Sequence, residues 1–196
     1  FRPRILPGIS IIAPAYQEEA SIIESANSLL NLHYPNYEVI IVNDGSTDNT
    51  LQKLIQHFQL EKVDRFIPRR LQTKPIRGIY TSRNIPKLVV IDKANGGKAD
   101  ALNVGINASL KEYFCGIDAD SLLEKDSLIK LASVVSEAKG EPIAVGGNIF
   151  PINGCNVDKG TLTKINIPRS HLARFQTIEY LRAFMAGRLG WAQLQS

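Results

Sequence analysis

The chain has 196 residues, 44% of them hydrophobic, which is enough for one domain with an apolar core. Its 23 basic and 19 acidic side chains give a net charge of +4, which suits anionic ligands without requiring nucleic acid. Two cysteines are too few for a disulfide framework, and no apolar run approaches the roughly 18 residues of a membrane-spanning helix.

Predicted strands and helices alternate along the chain. Short runs rich in β-branched residues predict buried strands, and apolar residues at the helical period predict the helices between them. In chain order we predict strand 9–13, helix 18–32, strand 37–42, helix 46–58, strand 88–91, helix 98–110, strand 114–118, helix 121–138, strand 143–149 and helix 174–194. This alternation predicts an α/β fold in which a mainly parallel sheet carries helices on both faces.

One basic segment, residues 61–87, interrupts the alternation. No acidic residue occurs between Arg65 and Ile91, and three prolines argue against a long helix. We predict an inserted loop, most simply a solvated one. Anionic lipid headgroups or a neighbouring domain are alternative partners for its charge. No nucleic-acid-binding motif accompanies it, so nucleic acid is not an expected partner.

Four polar motifs follow predicted strands, at residues 14–18, 43–46, 95–98 and 118–120. In open parallel sheets, ligands bind beyond the carboxyl ends of the strands. We therefore expect the four motifs to meet at one edge of the sheet and to form one site.

Two carboxylates, Asp118 and Asp120, come one residue apart directly after a predicted strand. Their hard oxygen atoms suit Mg²⁺ or Mn²⁺, and such a cation can hold a diphosphate and stabilise it as a leaving group. The alternative is structural, because Asp120 or Ser121 could cap the helix predicted to follow.

The first two motifs offer contacts for a nucleoside. Asp44 can accept hydrogen bonds from a base or a ribose hydroxyl, and Gly45 allows the backbone to approach a ligand closely. Tyr16 can stack on a nucleobase. Alternatively, the Asp-Gly pair forms a plain turn, while Pro14 and Glu18 merely end a strand and start a helix.

Two glycines precede the helix predicted from residue 98, and a lysine, Lys98, starts it. The free N–H groups at a helix start attract anions, and Lys98 adds a positive charge for a phosphate. The alternative is a flexible turn. The segment is not a P-loop, since Ala99 stands where a P-loop has serine or threonine.

Taken together and in this order, the motifs resemble those of the family 2 inverting glycosyltransferases of GT-A fold. The chain is most similar to the membrane-embedded cellulose, hyaluronan and poly-N-acetylglucosamine synthases, over residues 9 to 150. The resemblance implies a nucleotide-sugar donor, most often a UDP-sugar, and a saccharide or lipid acceptor. It implies Mg²⁺ or Mn²⁺ on Asp118 and Asp120. The donor-binding residues it implies are Pro14, Ala15, Tyr16, Glu18, Asp44, Gly97, Lys98, Asp118 and Asp120.

The resemblance also implies a division of the chain and a location. Residues 1–8 would be a connector, residues 9–150 the donor-binding core with the basic insertion, and residues 151–196 the incomplete start of an acceptor-side region. The full-length protein would work at the cytoplasmic face of the cell membrane, attached through segments outside this chain. Its start at Phe1, with Met185 as the only methionine, makes us expect a piece of a longer protein.

The acceptor-side motifs of that family are missing. Neither its Thr/Gly-Glu-Asp motif, which carries the base, nor its Gln-x-x-Arg-Trp motif follows Asp120. Inverting transfer needs a general base to deprotonate the acceptor hydroxyl, so we assign no catalytic residue and expect this chain alone to be inactive. A noncatalytic nucleotide-binding or scaffold module stays open as an alternative, and a nucleotidyltransferase is a further one.

Overall fold

The structure, a computed structural model, describes residues 6–137, 144–147, 154–158, 161–164 and 166–183. The chain divides into two compact units, Phe1–Ala132 and Ser133–Ser196.

The first unit is built on a six-stranded sheet. Its strands are β1 (Ile9–Ala15), β2 (Tyr37–Asn43), β3 (Glu61–Val63), β4 (Ile76–Thr81), β5 (Leu88–Lys93) and β6 (Tyr113–Gly116). The spatial order is β3-β4-β5-β2-β1-β6. Neighbours among β5, β2, β1 and β6 are parallel, whereas β4 is antiparallel to both β5 and β3. The carboxyl ends of the four parallel strands therefore lie along one edge of the sheet.

Helices cover both faces of this sheet. They are α1 (Ile22–Leu30), α2 (Thr50–Phe58), α3 (Lys98–Ala108) and α4 (Ser127–Glu137). Alternate residues of β1, β2 and β5 point to opposite faces, as the pleat requires. One set packs in a cluster with residues of α1, α2 and α4, and the other set packs in a cluster with residues of α3. The predicted α/β fold is thus confirmed, with central strands buried on both sides.

The contact between α3 and β1 is especially close. A Cβ atom built on Gly105, in the middle of α3, would overlap Cγ2 of Ile12 in β1. Only a glycine lets the helix backbone approach the sheet this closely, and the approach fixes where α3 begins above the strand ends.

The basic segment is not simply a loop, and this part of the prediction is wrong. It contributes β3 and β4, which extend the sheet by two antiparallel strands beyond β5. Its prolines lie outside both strands, so they exclude a long helix without hindering strand pairing. Ile79 of β4 is buried and packs with the α3 side of the sheet.

Two helices begin later than predicted, because backbone groups near their predicted starts form hydrogen bonds with other segments of the chain. The helix predicted from residue 121 begins only at Ser127, and the Lys125 carbonyl accepts a hydrogen bond from His33 N at 2.8 Å. Likewise α1 begins at Ile22 and not at residue 18, because the Glu18 amide donates to another segment.

The second unit is described in pieces. A two-stranded antiparallel sheet comprises β7 (Asn156–Asp158) and β8 (Thr161–Lys164), which the sequence did not predict, and α5 spans His171–Leu181. Of the predicted strand 143–149, the structure describes only residues 144–147, which form no regular element. The predicted helix 174–194 begins earlier, and its part beyond residue 183 lies outside the described residues. Within the described ranges, no helix has the length and apolarity to cross a bilayer.

Candidate functional site

The loops that follow β1 and β2 are bonded to each other. Gln17 N donates to Ser46 Oγ at 3.0 Å, and Glu18 N donates to Thr50 Oγ1 at 2.9 Å. Gln17 adopts a φ of 56°, which is uncommon for a residue other than glycine. Next to it, Tyr16 is 49% exposed, so its ring is free to stack on a ligand. The first two motifs therefore form one connected surface.

Asp48 stabilises the contact between the same two loops. Its carboxylate accepts hydrogen bonds from Thr50 N at 3.0 Å and from Glu19 N at 3.2 Å. Burial raises the pKa of the Asp48 carboxyl, but these hydrogen bonds outweigh it, and the pKa lies below its ordinary value. Asp48 thus stays charged one residue ahead of Asn49, the N-cap residue of α2, and an anion near the start of a helix is favourable.

Asp44, directly after β2, is buried and joins that strand to the glycine loop, residues 94–97 between β5 and α3. Its carboxylate accepts hydrogen bonds from Gly96 N at 3.0 Å and from Gly97 N at 2.7 Å. The Asn95 side chain donates to the main-chain oxygen of Asp44 at 2.8 Å. This is more than a plain turn, because the carboxylate holds a second loop. Nucleoside binding by Asp44 stays a prediction, and the observed partners already occupy both of its carboxylate oxygens.

Gly45 is required where these two loops touch. Its φ is +69°, and a Cβ atom there would lie 2.7 Å from the backbone nitrogen of Asn95. Both observations disfavour a larger side chain. The close approach seen here is to the loop after β5, and the predicted approach to a ligand stays a prediction.

Sequence reasoning missed two charged residues, Lys93 and Asp100. The fully buried ammonium of Lys93, the last residue of β5, lies 2.5 Å from Asp44 Oδ1 and 2.6 Å from Asp100 Oδ1. The available signal was a lysine that ends a strongly apolar strand and immediately precedes the glycine loop. Burial raises the pKa of the Asp100 carboxyl, but hydrogen bonds from Lys93 and from Lys74 N outweigh it and hold the pKa below its ordinary value.

The glycine loop is also joined to the paired carboxylates. Gly97, with φ +88°, is the N-cap residue of α3, and a Cβ atom there would meet no described atom within 4 Å. The next residue, Lys98, forms an ion pair with Asp118, and 63% and 53% of the two side chains are exposed. An exposed pair of this kind is weak and can exchange for a ligand.

Asp118 and Asp120 are not helix caps. α4 begins at Ser127, so the alternative in which Asp120 or Ser121 caps the following helix is wrong. Both aspartates are exposed, while Ala119 between them is buried in the core. Among the described residues, no three or more His, Cys, Asp or Glu side chains form a cluster, so a cation here would need further ligands from a substrate or water.

The contacts connect all four motifs in series. The loop after β1 bonds to the loop after β2, Asp44 bonds to the glycine loop, and Lys98 pairs with Asp118. The expected convergence at one edge of the sheet is therefore present. The roles of Pro14, Ala15 and the other predicted residues in binding a donor remain predictions.

Residues 10–190 match the family described as glycosyl transferase family 2. Poly-beta-1,6-N-acetyl-D-glucosamine synthase of Staphylococcus epidermidis is 30% identical over 175 residues, which are 88% of this chain and 32% of that protein. An uncharacterized glycosyltransferase of Haemophilus influenzae is 30% identical over 146 residues, covering 74% of this chain and 38% of that protein. The chain thus spans only about a third of the length of these curated relatives.

A solved structure has a similar fold. The crystal structure of S. aureus TarS 1-349 in complex with UDP-GlcNAc is 25% identical, with a TM-score of 0.50. The similarity covers 73% of this chain and 38% of that chain.

Proposed function

Because the chain belongs to glycosyl transferase family 2, we propose that it binds the nucleotide-sugar donor for a glycosyl transfer reaction. The observation that carries this proposal is the series of contacts joining the four motifs along the carboxyl ends of the parallel strands. A UDP-sugar is the proposed donor. The UDP-GlcNAc complex of a protein with a similar fold supports this choice.

In this proposal each motif contacts a different part of the donor. Tyr16, half exposed beside the loop after β2, stacks on the base, and the backbone around it pairs with the base edge. Lys98 and the first-turn N–H groups of α3, which have no intrahelical acceptors, face the diphosphate. The open space beside Gly97 leaves room for it.

Asp118 and Asp120 are the proposed ligands of Mg²⁺ or Mn²⁺. These two carboxylates fit such a cation, because a magnesium ion is commonly held by one or two carboxylates together with substrate phosphate oxygens and water. When bound, the cation would neutralise charge on the leaving diphosphate. To bind the cation, Asp118 would give up its ion pair with Lys98, and Lys98 would then be available to the phosphates.

The remaining parts of the proposal concern the full-length protein. The names of the S. epidermidis relatives support a saccharide acceptor and a role in polysaccharide synthesis. Inversion at the transferred sugar, location at the cytoplasmic face of the membrane, and inactivity of this chain by itself stay predictions. We assign no residue of this chain as the general base.

Calorimetry with the 196-residue chain tests the proposal. We expect UDP and UDP-GlcNAc to bind in the presence of Mn²⁺ or Mg²⁺ and to bind much more weakly with EDTA. Asp120→Ala should abolish the metal-dependent part. Asp64→Ala is the matched control, since Asp64 is an exposed aspartate ahead of β4 and outside the four motifs.

Three results would contradict parts of the proposal. Absence of UDP binding by the folded protein with metal present would remove the donor-binding function. Unchanged binding in Asp120→Ala would remove Asp120 from the metal site. Preference for nucleoside triphosphates over UDP-sugars would favour a nucleotidyltransferase.

A further inference from the structure

Lys93 is a fully buried lysine whose ammonium has three short contacts. Besides the contacts with Asp44 and Asp100, it donates a hydrogen bond to the carbonyl oxygen of Ala94 at 2.7 Å. An ammonium group has three donors, so all of them are used. Burying a charge is unfavourable unless its partners compensate closely, and this arrangement supplies two carboxylates.

The two carboxylates bind to different sides of the junction between the glycine loop and α3. Asp44 receives the amides of Gly96 and Gly97, whereas Asp100 lies in the first turn of α3. Lys74 N donates one bifurcated hydrogen bond to the two carboxylate oxygens of Asp100, at 3.0 and 3.2 Å. The Lys93 ammonium therefore joins the end of β2, the end of β5 and the start of α3 at one point.

This arrangement determines which N–H groups remain for a ligand. The amides of Gly96 and Gly97 already donate to Asp44, so they are not available to an anion. The amides of the first turn of α3 lack intrahelical acceptors, and Lys98 starts that turn. The contacts that hold the glycine loop against Asp44 therefore also determine the position of these amides and of the Lys98 side chain.

We propose that Lys93 is a positioning residue for the donor diphosphate, acting through Asp44 and Asp100 to hold the glycine loop and the start of α3 in their binding arrangement. The inference rests on the proposed donor-binding function and deepens it. Lys93 itself is fully buried, so it acts through these two carboxylates and not by contact with the donor. Without its ammonium, two carboxylate oxygens that lie within 2.6 Å of one nitrogen would face each other unscreened, and their repulsion would open the loop.

The variant Lys93→Met tests this, because methionine keeps the length of the side chain and removes its charge. In folded protein we expect the Kd of UDP with Mn²⁺ to rise by about tenfold or more. The double variant Lys93→Met/Asp100→Asn should recover much of that loss, since it removes one of the two repelling carboxylates. Lys62→Met, at an exposed lysine of β3, is the control and should bind as the wild type does.

Amide hydrogen exchange gives a readout that does not depend on UDP. The Gly96 and Gly97 amides should exchange slowly in the wild type, rapidly in Lys93→Met, and slowly again in the double variant. A uniform rise in exchange throughout the sheet would instead indicate general destabilisation and would contradict a positioning role.

The outcomes separate the two proposals. Wild-type protein that binds no UDP but shows the expected exchange pattern would refute the donor-binding function while leaving the loop-holding role of Lys93 intact. A folded Lys93→Met variant that binds UDP within about twofold of wild type, or a double variant that is no better than the single one, would overturn the inference. If Lys93→Met does not fold, Asp100→Asn decides: UDP binding weakened by about threefold supports the inference, and unchanged binding refutes it.

Discussion

Two glycines of the site, Gly45 and Gly97, have positive φ values but different surroundings. At Gly45 a Cβ atom would lie 2.7 Å from the backbone nitrogen of Asn95, whereas at Gly97 it would meet no described atom within 4 Å. Alanine substitution at both positions therefore separates the cost of the backbone conformation from the cost of the contact.

The conformational costs are similar. A left-handed backbone costs a residue with a Cβ atom about 1–2 kcal/mol, which applies to Gly45. Gly97, with φ 88° and ψ 169°, lies in a region that is almost exclusive to glycine, where the cost is about 1–3 kcal/mol. Gly45→Ala adds an overpacking term of about 1–3 kcal/mol, because a backbone atom cannot rotate away as a side-chain end can.

We expect Gly45→Ala to lower the free energy of unfolding by about 2–5 kcal/mol and Gly97→Ala by about 1–3 kcal/mol. Urea denaturation with a shared m-value measures both. Equal losses, or a larger loss for Gly97→Ala, would show that the loops after β2 and β5 do not approach as closely as described. Gly97→Ala should also weaken UDP binding in fully folded protein, because the new methyl group enters the space assigned to the diphosphate.

Three further predictions concern packing, charge and thiol reactivity. Gly105→Ala should destabilise the fold by about 1–3 kcal/mol, because the new methyl group overlaps Ile12. In urea titrations the double variant Gly105→Ala/Ile12→Ala should lose less stability than the sum of the two single variants, because the shorter side chain at position 12 removes the overlap. The free energy of unfolding of wild type should exceed that of Asp100→Asn by a constant amount near neutral pH. This difference should shrink as the pH falls below about 3.8, because the lowered pKa of Asp100 contributes stability only while the carboxyl is ionised. A constant difference down to about pH 2.5 would contradict this. Burial raises the pKa of the Cys115 thiol, so its alkylation at pH 8 should be slower in native protein than in urea, and equal rates would refute its burial.

The local patterns of the sequence were sufficient to predict the parallel part of the fold. The strands around Ile11, Ile40 and Val90 are continuous apolar runs because each is covered on both faces, and such runs are typical of parallel sheets. β3 and β4 could not be predicted in the same way. They are an outer antiparallel pair with few buried residues, so their strand character comes from pairing, of β4 with β5 and of β3 with β4, and not from an apolar pattern.

The exposed part of the site was easier to predict than its support. Asp118 and Lys98 stand in motifs with recognisable spacing, and the structure brings them into contact. Lys93 belongs to no such motif, and Asp100, two residues after Lys98 in the same motif, had no role assigned to it. Their importance appears only when the end of β5 is placed beside the end of β2 and the start of α3. Sequence spacing does not encode that placement, because residues 44 and 93 become neighbours through the sheet order.

The depth of each charge at this edge of the sheet explains its proposed role. Asp44 and Lys93 are buried and bonded to each other, so the field they produce is fixed and cannot easily be given up to a ligand. Lys98, Asp118 and Asp120 are exposed, and the ion pair between the first two costs little to break. The buried pair is therefore suited to hold the backbone in place, and the exposed charges are suited to exchange their partners when a diphosphate and its cation arrive.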